Sequence, residues 1–196
     1  MGNSNCSIVL ASASPRRTEL MTLAGIDFSV VPADICEDAL HGESASDHVL
    51  RLSREKAEAV AARTEGRFFI GADTIVVLDG AIIGKPFNEA DAENILSSLS
   101  GRTHTVITAF TVFDKTGGTV TSRSVYTEVA FKKLDAKEIA AYIATGCPMD
   151  KAGAYAMQGG AVHFVRSING SFSNVIGLPM TELYEVLDLM GALSAQ

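Results

Sequence analysis

The sequence of 196 residues contains no tryptophan and only three cysteines. Cys6, Cys36 and Cys147 are far apart, odd in number and outside any C-x-x-C pattern. Neither a disulfide framework nor a zinc site is predicted from them, and such sparse use fits a reducing cytosol. Basic charge is also scarce: 16 lysines and arginines stand against 23 acidic residues, for a formal net charge of −7. A broad nucleic-acid-binding face is therefore not expected, and an anionic ligand would need a local basic cluster in an acidic background. That arrangement suits a discrete small ligand better than a polymer. No apolar run approaches the length of a membrane span, so no membrane is expected as a partner. Met1-Gly-Asn-Ser-Asn-Cys6 lacks a basic region followed by an apolar one and does not read as a signal peptide, while Cys6 stands where a myristoylation signal wants Ser or Thr. The expected location is the cytoplasm. Three common catalytic signatures are missing as well: the phosphate-binding P-loop, the Rossmann glycine pattern and the Gly-x-Ser-x-Gly elbow.

Apolar residues make up 47% of the chain and charged residues 20%, ordinary proportions for a globular protein long enough to bury a real core. No internal repeat, low-complexity stretch or linker interrupts it, so residues 1–196 read as a single domain, or as two tight lobes. The most telling stretch is Leu10-Ala-Ser-Ala-Ser-Pro-Arg-Arg17, directly after the apolar run Ile8-Val9-Leu10. A short buried strand is predicted to run into a helix with Pro15 in its first turn, where a missing N–H costs nothing. Ser12 or Ser14 is placed to cap it. A helix N-terminus favours an anion, but that contributes only about 0.3–1 kcal/mol, too little to hold a polyphosphate. Arg16 and Arg17 would supply most of the attraction through their bidentate guanidinium forks. A capped surface helix with two solvated arginines is the plainer alternative.

Further along, Phe28–Val31 reads as a second strand. Ser44-Ala-Ser-Asp47 is a capping-box pattern opening a helix that runs to about Arg63. Val49, Leu52, Lys56, Ala57 and Val60 fall near helical spacing on one side, so Lys56 either lays its stem across the core edge or reaches into a cleft. Phe68–Ile70 is a predicted strand, with Gly71-Ala-Asp-Thr74 as a polar break before Ile75–Leu78. Asp79-Gly80 marks a hairpin into Ala81–Ile83. Asn88 is placed to cap a helix to about Leu99. Thr103–Phe113 and Thr119–Phe131, joined by Lys115–Gly118, read as a long antiparallel pair. Asp135-Ala-Lys-Glu138 opens another helix, closed by Gly146 and Pro148. Ala161–Ile168 reads as a strand ending at Asn169-Gly170, and a last helix follows Pro179. The predicted fold class is α/β, with a mixed, strongly twisted sheet.

Two chemical types recur among the polar clusters. Arg16, Arg17, Lys56, Lys85 and Lys151 can neutralise phosphates. Glu37 and Asp73 can hold a hard divalent cation or activate water. Together they describe metal-assisted phosphoryl or nucleotidyl chemistry, in which catalysis is mostly positioning and charge stabilisation. Taken singly, each has a plainer role: Asp73 as a turn cap, Lys85-Pro86 as turn chemistry, Asp150-Lys151 as a surface pair. The four histidines, His41, His48, His104 and His163, share no metal-site spacing and are assigned solvated or core roles.

Seven motifs stand in an order that resembles the Maf family of nucleoside triphosphate pyrophosphatases. They are Ser12-Ala-Ser-Pro-Arg-Arg17, Gly71-Ala-Asp-Thr74, Gly84-Lys-Pro86, Ser100-Gly-Arg-Thr-His104, Asp150-Lys-Ala-Gly-Ala-Tyr155, Gln158-Gly, and Asn169-Gly-Ser-Phe-Ser-Asn-Val-Ile-Gly-Leu-Pro179. The resemblance implies an inosine-triphosphatase-like fold with two lobes around a cleft. It also implies hydrolysis of a nucleoside triphosphate to the monophosphate and pyrophosphate with a divalent cation, Mg²⁺ or Mn²⁺. On this resemblance Asp73 is the catalytic proton acceptor and Glu37 a second acidic residue, both as metal or water ligands. Ser12, Arg17, Lys56 and Lys85 fall at phosphate-contacting positions. Arg16, Thr74 and Gln158 resemble the branch acting on dTTP and UTP, with modified pyrimidine nucleotides as further candidates. The resemblance also points to a homodimer, which no feature of the sequence marks. Two alternatives stay open: the same fold acting on 7-methyl-GTP or another purine nucleotide, and a nucleotide-binding regulator of cell division in which catalysis is secondary.

Overall fold

The computed structural model describes residues 7–193; Cys6 and the readings made on the first six residues lie outside them. In chain order the elements are β1 (Ile8–Leu10), α1 (Pro15–Leu23), β2 (Ser29–Val30), α2 (Ala45–Ala61), β3 (Phe68–Leu78), β4 (Ala81–Ile83), α3 (Glu89–Leu99), β5 (Thr103–Asp114), β6 (Thr119–Phe131), α4 (Ala136–Ile143), β7 (Val165–Asn169), α5 (Phe172–Ile176) and α6 (Met180–Leu189). The strands form one mixed sheet in the order β2-β1-β3-β5-β6-β7, with β4 paired to β3 off that path. β1 lies parallel to β2 and β3, whereas β3–β4 and β6–β7 are antiparallel. The chain divides into two compact units. One holds the residues up to Asp73, Thr108–Val125 and those from Gly177 on; the other holds Thr74–Ile107 and Tyr126–Ile176. β3, β5 and β6 each contribute residues to both.

In the first unit, α2 begins as its sequence dictates: the Ser44 hydroxyl accepts from the Asp47 N–H at 3.1 Å. Its apolar stripe packs Ala57, Val60 and Ala61 against Val9 and Phe69 of the sheet and Ala11 just past β1. Gly71 lets the helix come close. A Cβ built there would lie 2.0 Å from the Ser53 carbonyl oxygen and 2.7 Å from the Ala57 nitrogen. Gly71 is therefore not a break. β3 runs unbroken from Phe68 to Leu78, and the polar interruption expected at Gly71–Thr74 is instead mid-strand. A hydroxyl chain also ties this helix to β5 and β6: Ser53 Oγ lies 2.8 Å from Thr111 Oγ1, which lies 2.8 Å from Ser122 Oγ.

In the second unit, Asp79 and Gly80 both take positive φ (52° and 80°), the backbone a two-residue hairpin needs. Asn88 caps α3 through Asp91 N–H, and the reciprocal capping box at Asp135 and Glu138 opens α4. The segment expected as a strand from Ala161 starts instead with a 3₁₀ turn over Val162–Phe164, and β7 occupies only Val165–Asn169. The core here is aromatic. His104, Phe131 and Tyr155 meet edge to face with centroids 4.8–5.3 Å apart, and Phe164 joins Phe131 to Tyr142.

His104 is buried in that cluster, the core role being the one realised. Burial pushes its pKa down from 6.5 to about 4. The unfolded chain binds a proton as pH falls through 6.5, while the folded protein resists until about 4. Stability from this residue is thus complete above pH 6.5 and is lost on going down to pH 4. The loss should be on the order of 3 kcal/mol at 1.36 kcal/mol per pKa unit. Urea denaturation at pH 7 and pH 4 should show a steeper acid loss for the wild type than for His104→Gln; equal slopes would contradict this.

Candidate active site

The end of β1 delivers Ser12, which is buried, to the start of α1. Ser14 takes the N-cap position, but its side chain does not cap. Its N–H donates to Ser12 Oγ at 3.2 Å, and Pro15 fills the first turn. Arg17, one turn into α1, is half-buried. Its Nη1 donates to Ser12 Oγ at 3.0 Å and to the Ala72 carbonyl at 2.9 Å, and its Nε donates to the Gly177 carbonyl at 2.7 Å. Desolvation pulls the pKa of this guanidinium below its ordinary value; Asp73 opposes the shift, Arg16 adds to it, and Glu37 opposes it. An arginine stays charged regardless. Arg17 therefore carries positive charge among Asp73, Arg16 and Glu37 while tying β1, β3 and the segment before α6 together.

Lys56 does more than lay its stem across the core edge. It sits on the buried face of α2, 7% exposed, and reaches two carboxylates at once. Its Nζ lies 2.7 Å from Asp73 Oδ1 and 2.6 Å from Glu37 Oε1. Asp73 is 8% exposed. Glu37 comes from the irregular segment after β2, and its side chain is about half exposed. Gly71 is what brings these groups within reach, because Ser53 and Ala57, which flank Lys56 on α2, lie directly over it. Ser12, Arg17, Glu37, Lys56 and Asp73 thus gather in the first unit, with Arg16 close enough to act on Arg17 electrostatically.

The remaining residues of interest belong to the second unit. Thr74 follows Asp73 on β3. Lys85 is exposed in the connection between β4 and α3, next to Gly84, whose carbonyl accepts from Gly153 N–H at 3.0 Å. Gln158 is exposed on a 3₁₀ turn, Met157–Gly159. Asp150 and Lys151 pair with each other. Sequence reasoning missed the bond between Tyr155 and His104, whose Oη and Nε2 are 2.8 Å apart, because 51 residues separate them.

Two carboxylates converging on one ammonium also test the fit of a divalent cation. Among the described residues no group of three or more His, Cys, Asp or Glu side chains forms a self-contained cage. Mg²⁺ commonly takes only one or two carboxylates and completes its shell with water and substrate phosphates, so Glu37 and Asp73 suit it.

The mixed sheet thus carries two arginines at a strand–helix junction and two carboxylates meeting on a buried lysine. The profile of the family described as Maf-like protein matches residues 7–190, and the chain belongs to that family. It is 56% identical over 193 residues to a dTTP/UTP pyrophosphatase of Geotalea uraniireducens (strain Rf4), covering 98% of this chain and 100% of that one. Its identity to a dTTP/UTP pyrophosphatase of Geobacter sp. (strain M21) is 57%, over 96% and 98% of the two chains. A relative of the same description in Shewanella denitrificans is 48% identical, over 93% and 95%. No helix among the described residues is long and apolar enough to cross a membrane.

Proposed function

We infer that this chain hydrolyses dTTP and UTP to the monophosphate and pyrophosphate. The observation that carries the substrate class is its 56% identity, end to end, to a dTTP/UTP pyrophosphatase. The observation that supports hydrolysis is the placing of two carboxylates on Lys56. Asp73 accepts the proton of the attacking water, and its burial keeps competing water away. Lys56 orients both carboxylates through its two ion pairs. Arg16, Arg17, Lys56 and Lys85 supply positive charge to the triphosphate, and the Ser12 hydroxyl can donate to one of its oxygens. Glu37 and Asp73 would hold Mg²⁺ or Mn²⁺, which when bound supplies positive charge for the departing pyrophosphate. Family membership further supports a homodimer, and sparse cysteine use supports the cytoplasm as the place of action.

Base choice falls to Gln158 with Thr74 and Arg16. The Gln158 amide can donate and accept side by side, matching the O4 and N3–H edge of uracil or thymine. A site left with unpaired polar groups by the wrong base discriminates well. The test is pyrophosphate release from a nucleoside triphosphate panel with Mg²⁺, Mn²⁺ or EDTA. Metal-dependent conversion of dTTP and UTP, with GTP and 7-methyl-GTP nearly inert, is expected. Gln158→Ala should flatten that preference more than it weakens turnover in general. Equal loss on every nucleotide would place Gln158 in the phosphate machinery, and turnover of a purine alone would overturn the base assignment.

A further inference from the structure

Gln158 sits on a stretch with little regular structure. Three-residue 3₁₀ turns at Ala152–Ala154 and Met157–Gly159 are separated by extended backbone at Tyr155 and Ala156. No β-ladder holds such a segment, so its position depends on packing and on individual bonds, among them three that reach other elements. Gly153 N–H donates to the Gly84 carbonyl at 3.0 Å, joining the segment to the loop of Lys85. Ala156 N–H donates to Tyr142 Oη on α4 at 3.0 Å. Tyr155 Oη lies 2.8 Å from Nε2 of His104, near the start of β5. Tyr142, Tyr155 and His104 are all buried, at 4%, 5% and 2% exposure.

Packing alone does not account for the last pair. The rings of His104, Phe131 and Tyr155 meet edge to face, a contact that phenylalanine at 155 would make equally well. Keeping a hydroxyl and an imidazole there means desolvating both, and Nδ1 of His104 finds no hydrogen-bond partner among the described residues. A buried polar pair held at such cost fixes geometry more than it adds stability. We propose that the Tyr155–His104 bond is a clamp that sets where Gln158 presents its amide, making both positioning residues for base selection. Tyr142 secures the next backbone N–H along, and Gly153 keeps the Lys85 loop in step. This rests on Gln158 reading the base.

The test compares kcat and KM for dTTP and GTP across variants confirmed as folded by thermal melting. Tyr155→Phe keeps the ring and removes only the hydroxyl. It should raise the KM for dTTP by about tenfold, the upper end for one buried hydrogen bond, with kcat nearly unchanged. Preference for dTTP over GTP should fall by the same factor. Because the clamp acts through Gln158, Tyr155→Phe added to Gln158→Ala should cost no further selectivity. His104→Gln, whose amide can still reach the hydroxyl, should retain more selectivity than His104→Leu. An unchanged KM in folded Tyr155→Phe, or multiplying losses in the double variant, would overturn the clamp while leaving Gln158 its role. Unaltered selectivity in Gln158→Ala alone would instead overturn the base-reading role beneath it.

Discussion

Asp73→Asn is expected to lower turnover of dTTP by about 10²–10⁴-fold, the usual contribution of a positioned general base, while leaving the protein folded. The separation of the two effects follows from the charge inventory around Lys56. That ammonium meets two carboxylates, at 2.6 and 2.7 Å. Removing one partner from an isolated buried pair strands a charge at a cost of about 3–5 kcal/mol. Here Glu37 remains, so the ammonium keeps one carboxylate partner. Asparagine has the same shape, and its carbonyl can still accept from Lys56. The amide cannot take a proton from water, however, and it is a poor ligand for a hard cation. Melting temperature and kcat measured on one preparation decide the matter. Near-full activity would remove Asp73 from the proton-accepting role. An unfolded variant would show that Glu37 does not sustain Lys56 alone.

How much of this was legible in the sequence depended on the range of the interaction that determines each feature. Caps and turns are local, so Ser44, Asn88, Asp135 and the Asp79-Gly80 hairpin are all where their patterns put them. Lys56 was visible as an anomaly, a charge on an apolar face. What it reaches was not, since Glu37 and Asp73 come from separate segments. The Gly71–Thr74 stretch shows the converse. Glycine and aspartate inside an apolar run imitate a turn, because local rules cannot see a helix backbone above the strand. The same limit hid the Ser53–Thr111–Ser122 hydroxyl chain, whose members lie on α2, β5 and β6. Ala161–Phe164 misled in the other direction: its composition suits a strand, but Ala161 N–H and Phe164 N–H are satisfied locally by the Ala156 and Ala161 carbonyls.

Gly71→Ala should destabilise the protein by at least about 3 kcal/mol, beyond the ordinary range for overpacking, and should also disable the site. The added methyl would meet backbone on the facing helix, 2.0 Å from a carbonyl oxygen and 2.7 Å from an amide nitrogen. A side-chain neighbour can rotate away; Ser53 and Ala57 cannot move without α2. That helix is held in turn by its packing on Val9 and Phe69 and by the bond from Ser53 to Thr111. Whatever displacement accommodates the methyl therefore carries Lys56 with it and separates Nζ from Asp73 and Glu37. At about 2–4 °C per kcal/mol for a chain of this size, the melting temperature should fall by roughly 6–12 °C. Gly84→Ala is the matched control for stability, because a Cβ there meets nothing within 4 Å. Assayed well below its own melting point, folded Gly71→Ala should still turn over dTTP poorly. A melting temperature equal to that of Gly84→Ala would mean that α2 is not held against β3. A large drop in stability with full activity in the cold would mean that Lys56 can be displaced without consequence for Asp73.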